Sequence, residues 1–167
     1  MLARLRRAAP RDDGASAVEF ALVLPILLIL VFGIISFGLY FAGALGMSNA
    51  SREAARYAVV QNRTCEEIVT TVKNGVQSTL GINYPVTVTI SRPTSTGSTT
   101  CTASIDEEGD VSFPNGNQSK IPCQGSKTDE DELTVSTAAT ANMLIPTFWV
   151  SSDFPLNGRG AYRCEFS

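Results

Sequence analysis

Residues 20–47 read FALVLPILLILVFGIISFGLYFAGALGM, and no Asp, Glu, Lys or Arg interrupts the chain from Phe20 to Ser51. A bilayer core about 30 Å thick is crossed by roughly 20 apolar residues of helix, so this run spans it with residues to spare. A helix buried in a soluble core is the bland alternative, and the length and lack of charge weigh against it. The rest of the chain is polar and rich in Ser and Thr. The 44% hydrophobic content of the 167 residues therefore averages two unlike parts. Histidine is absent, which removes the commonest general base and the commonest zinc ligand. A net charge of −3 argues against nucleic acid as a partner. These features favour a small extracytoplasmic domain carried on a hydrophobic helix over a soluble cytosolic enzyme.

Arg4, Arg6, Arg7 and Arg11 precede the run and favour an amino terminus held in the cytoplasm, although Arg52, Arg56 and Arg63 follow it. The cysteines decide the direction better. Cys65, Cys101, Cys123 and Cys164 all lie after the run, with no Cys-x-x-Cys pair among them. Two disulfides in an oxidising compartment fit this pattern better than a zinc site. Of the three connectivities that four cysteines allow, Cys65–Cys164 with Cys101–Cys123 is the expected one. The second bridge closes a local loop, and the first ties the last strand to a helix. Two cleavage sites predict different mature molecules. Ala42-Gly43-Ala44 has the small-residue form of a secretory site, behind an apolar stretch too long for a signal peptide. Gly14-Ala15 lies on the other side of the run, and cutting there removes the basic leader while keeping the apolar helix.

Glu19 stands at the entrance of the run. A carboxylate at the bilayer centre costs a few kcal/mol, and much less at the interface. Sited in the first helical turn it also complements the helix dipole. Cleavage after Gly14 would create an amine on Ala15 one helical turn before Glu19. Amine and carboxylate could then neutralise each other, within one chain or between neighbours, and lower the cost of an apolar environment.

The stretch from Gly14 to Val60 resembles the TadE-like pseudopilins, minor pilins of the tight-adherence (Flp) pilus system. The residues that carry the resemblance are Gly14, Glu19-Phe20, Pro25, Phe32-Gly33 and the SREAARYA block from Ser51 to Ala58, with a weaker echo in the ending GAYRCEF. The resemblance implies a role in assembling a type IVb-like surface pilus used in cell adhesion, structural rather than catalytic. It also implies trimming after Gly14 by a prepilin peptidase. Its implied partners are the major Flp pilin, other minor pilins, the inner-membrane assembly platform, and the membrane before assembly. Asp12 and Asp13 depart from the pattern, standing where a basic residue often precedes the glycine.

Pro25 removes the helical partner of the Ala21 carbonyl, which a membrane helix tolerates. Small residues then recur every four positions at Gly38, Ala42, Gly46, Ala50, Ala54 and Ala58. Such a ridge lets a second backbone approach closely. A contact with a neighbouring subunit is expected there, with seating of the chain's own domain as the alternative for the upper half. Beyond the apolar run the helix is expected to continue through SREAARYAVVQ.

Thr64-Cys65-Glu66-Glu67 has capping-box spacing and predicts a second helix to about Leu80, with Ile68, Val72, Val76 and Leu80 as its apolar stripe. Alternation predicts strands over 84–91, from Leu133 toward Asn142, and over 161–166. Residues 92–100 and 113–125 read as exposed loops, with a short hairpin as an option. The acidic clusters 106–110 and 129–132 lack the spacing of a calcium loop and read as solvated charge. No nucleophile lies beside a recognisable base, and no cofactor is implied. The expected architecture is α+β: a leader over 1–14, a helix over 15–62 crossing the membrane at about 20–46, and an extracytoplasmic domain over 63–167. The competing expectation is a membrane-anchored or secreted ligand-binding module.

Overall fold

The computed structural model describes residues 13–60, 62–80, 85–94, 97–125, 132–142 and 153–165. The leader before Asp13, Gln61 of the expected first helix, the helix stop at Gly81, most of the acidic run 129–132 and Phe166 of the expected last strand lie outside them. The first element is the helix α1, Asp13–Val60, 48 residues long and unbroken through Pro25. At 1.5 Å per residue it extends for about 72 Å. A second helix, α2, covers Cys65–Leu80. Five strands follow: β1 Val86–Thr94, β2 Gly97–Ile105, β3 Val111–Ser112, β4 Glu132–Asn142 and β5 Asp153–Arg163. They form one antiparallel sheet in the order β3-β2-β1-β4-β5. The α+β expectation holds, with a larger sheet than the sequence signals suggested.

Both helices lie on one face of the sheet. α2 packs over β1 and β2, and α1 over β4 and β5. Alternation drives this: Val86, Val88 and Ile90 of β1, Ala103 and Ile105 of β2, and Leu133 and Val135 of β4 are buried toward the helices. The residues between them are largely Ser and Thr, and they leave the other face polar. Ile68, Val69 and Val72 of α2 complete the core, each fully buried. Burying one such side chain contributes about 1.5–3 kcal/mol.

Two expected loops are something else. Residues 92–100 are mostly paired strand, with Arg92↔Thr99, Pro93↔Ser98 and Thr94↔Gly97 extending the β1–β2 hairpin. Residues 113–125 form a strap rather than a free loop. The Lys120 and Gln118 carbonyls accept the Cys65 and Glu66 amides at the start of α2, at 2.8 and 3.1 Å, and Pro122 and Cys123 are buried. Helix α2 thus has its first N–H groups satisfied by tertiary contacts. The last strand begins at Asp153, well before the expected 161, because β4 pairs with it along its whole length to Asn142↔Asp153.

The disulfide expectation is corrected. The bridges are Cys65–Cys101 and Cys123–Cys164, with Cα separations of 6.4 and 5.6 Å. Cys65–Cys164 fails because α2 lies over β1 and β2, whereas the helix over β5 is α1. Cys101 belongs to β2 and faces the core opposite Ile90, beneath the start of α2. The strap then carries Cys123 to the end of β5, where Cys164 follows the strand.

Candidate functional site

The candidate site is α1 itself, which divides into a seated half and a projecting half. Seating begins at Tyr40, whose hydroxyl donates to the Pro155 carbonyl at 3.4 Å and whose ring meets Phe154 edge-on at 6.0 Å. About two to three turns higher the contact is backbone on backbone. A Cβ at Gly158 or Gly160 would collide with the Met47 or Ser51 carbonyl. The Ser51 hydroxyl bonds the Met47 carbonyl and the Thr137 hydroxyl, both at 2.8 Å, inside this contact. Across the core α1 also meets α2, where a Cβ at Gly75 would lie 2.9 Å from the Ala50 Cβ.

Below Tyr40 the helix is largely bare, except for Ser36, which is 4% exposed. Leu22 is 70% exposed and Ile34 74%, against 2% for Met47. The stretch from Gly14 to Leu39 is about 39 Å long at 1.5 Å per residue. That exceeds the apolar thickness of a bilayer, about 30 Å. This one amino-terminal helix is long and apolar enough to span a membrane.

Gly14 and Ala15 lie at the exposed start of α1, and among the described residues no other part of the chain comes within 4 Å of where a Gly14 Cβ would sit. Glu19 follows one turn later, also exposed. The small-residue ridge is split. Ala50, Ala54 and Ala58 are buried in the chain's own core at 2, 0 and 2% exposure, Gly46 is buried, and Ala42 is half-buried. Gly38 alone of the six is exposed. The upper ridge therefore seats the domain and is not offered to a neighbour.

The capping box forms as its spacing predicts. The Thr64 amide donates to Glu67 Oε2 at 2.9 Å, and the Glu67 amide donates to Thr64 Oγ1 at 3.3 Å. The backbone N–H of Thr64 is the chief cause holding the Glu67 carboxyl below its ordinary range, opposed by desolvation and aided by the Arg63 guanidinium at 3.2 Å. Among the described residues no three His, Cys, Asp or Glu side chains gather as a metal-binding group.

The sequence reading missed the residues that join α1 to β5. Gly158 and Gly160 carried a usable signal, since glycines two apart on one strand face mark a close backbone approach. Tyr40, Phe154 and the Ser51–Thr137 pair carried none, because each pairing spans more than 80 residues.

No curated protein and no solved structure shows a match to the chain. A family model does match, described as TadE-like protein, over residues 14–56. It covers the projecting half of α1 and most of its seated half, where most of the motif residues stand. Over residues 14–56 the chain is similar to TadE-like proteins.

Proposed function

We propose that the chain is a minor pilin-like subunit required for assembly of a tight-adherence pilus, structural rather than catalytic. The observation that carries this reading is the bare apolar half of α1, continuous with a helix seated in a disulfide-bonded domain and matched by the TadE-like model. In this reading the leader stays in the cytoplasm and a prepilin peptidase cuts after Gly14. The domain folds on the outer side of the inner membrane. The lipid-embedded part runs from about Gly14 to Leu39, lower on the helix than the 20–46 read from hydropathy, because the segment from Tyr40 is taken up by the domain.

Depth then follows from helix geometry. Tyr40 at the outer interface places Glu19 about 32 Å away along the axis, near the inner edge of the apolar core. There the carboxylate stays hydrated until assembly draws the subunit out of the bilayer. Once in a filament, Glu19 pairs with the Ala15 amine of its own or a neighbouring chain, which offsets the cost of burying both charges. Gly38 and the half-buried Ala42 supply the part of the ridge that remains free for partner helices. Those partners are the major Flp pilin, other minor pilins and the assembly platform.

Mass spectrometry of the mature amino terminus tests the reading. It is expected to find Ala15. A chain beginning at Leu45 would indicate secretion by conventional cleavage, and an intact Met1 a plain membrane anchor. Either result would replace the pilin reading with a presented or released binding module.

A further inference from the structure

The last strand, β5, ends the sheet: among the described residues β4 pairs with it on one side and no strand on the other. Pro155 tells which of its backbone groups point outward. Proline has no N–H to give to a ladder, so it suits the set of residues facing away from β4. The Tyr40 hydroxyl donating to the Pro155 carbonyl from outside the sheet agrees with this. Alternation then turns the N–H and C=O groups of Asn157, Arg159, Ala161 and Arg163 toward the open edge. Four exposed arginines flank that edge. Arg52 and Arg56 project from α1 on the helix side, and Arg159 and Arg163 belong to the opposite face of β5. None forms an ion pair among the described residues. On the helix side a groove of about 540 Å³ opens beside the strand, lined by Arg52, Glu53, Arg56, Tyr57, Val60 and Tyr162.

We propose that the outer edge of β5 takes up an extended, carboxylate-bearing segment of a partner protein as an added strand. The free ladder supplies backbone hydrogen bonds, and the side chains of an added strand alternate between the two faces. One set meets Arg52 and Arg56 in the groove, and the other meets Arg159 and Arg163. Carboxylates at successive positions would find guanidinium groups on both sides, which single-faced surface charge does not provide. This goes beyond membrane anchoring and processing, and it holds whichever amino terminus the mature chain has.

The test uses the full chain in neutral detergent with its disulfides intact. The probe is a fluorescent nine-residue peptide repeating Thr-Thr-Glu-Glu, which puts carboxylates on both faces of an extended strand, compared with one repeating Thr-Thr-Lys-Lys. The Glu peptide is expected to bind, the Lys peptide not, and amide exchange at 157–163 to slow by about tenfold or more. Asn157→Pro removes an outward N–H and blocks the edge while leaving the β4 ladder intact, as Pro155 already does, and Leu156 before it keeps an extended backbone. It should abolish binding with an unchanged circular dichroism spectrum. Arg52→Glu with Arg56→Glu touches no sheet hydrogen bond and should weaken binding by about tenfold or more. Equal binding of the two peptides, unslowed exchange at the edge, or full binding by either variant would overturn the proposal.

Discussion

Thr64 and Glu67 form a local device whose effect depends on pH. Glu67 carries a lowered pKa, chiefly from the Thr64 N–H. A carboxyl with a depressed folded value stabilises above its unfolded pKa, and the contribution is lost as pH falls through the folded value. Glu67→Gln should therefore flatten the stability profile below about pH 4.5, read from thermal midpoints across an acid series. Thr64→Ala should cost about 0.5–2 kcal/mol at neutral pH, the usual worth of a cap. Glu19 belongs to the same scale with a different readout. Glu19→Ala should leave insertion and trimming intact and reduce piliation, scored by filament counts beside an immunoblot of the mature subunit. Normal piliation in that variant would remove the charge-pairing idea.

At the scale of elements, the seating of α1 on β5 sets where the domain ends and the bare rod begins. Gly158 and Gly160 allow helix and strand backbones to touch, and the Ser51–Thr137 hydroxyl pair lies within that contact. Gly160→Ala would force a methyl against the Ser51 carbonyl and the Arg52 Cα. The expected loss is about 1–3 kcal/mol, as for an overpacked core, measured by thermal or denaturant unfolding of the full chain in detergent. An unchanged midpoint would mean that the helix shifts on the sheet at little cost. Gly109 serves a second junction. At a φ of 88° it turns the chain between β2 and β3 under α2, where any side chain would meet Gln77.

For the whole molecule, the two disulfides divide the labour. Cys65–Cys101 pins α2 to the hairpin side of the sheet, and Cys123–Cys164 ties the strap to the end of β5. Their sequence separations are 36 and 41, so each closes a loop of intermediate length and is worth about 2–4 kcal/mol. Peptide mapping without reduction should recover these two pairs, and reduction should lower the unfolding midpoint markedly. Recovery of Cys65–Cys164 would contradict the placement of α2 over β2. Removing Cys123 and Cys164 together should free the strap, raising amide exchange at Cys65 and Glu66, which donate to its carbonyls.

The sequence alone determined what depends on near neighbours. The apolar run from Phe20, the capping box at Thr64, the stripe of α2 and the alternation in β1 and β4 are periodic or local patterns, so their elements were legible and the α+β class followed. The motif residues from Gly14 to Ala58 were legible for the same reason, being contiguous on one helix. Tertiary structure alone decided which cysteines meet, because pairing depends on which helix covers which strand. It decided that Ala50, Ala54 and Ala58 serve the chain's own core rather than a neighbour, since a small residue looks the same in sequence whatever packs on it. It also placed Tyr40 as the point where the rod leaves the domain, through a contact with residues more than a hundred positions away. Partners at that separation leave no periodic trace along the chain, and folding is what brings them together.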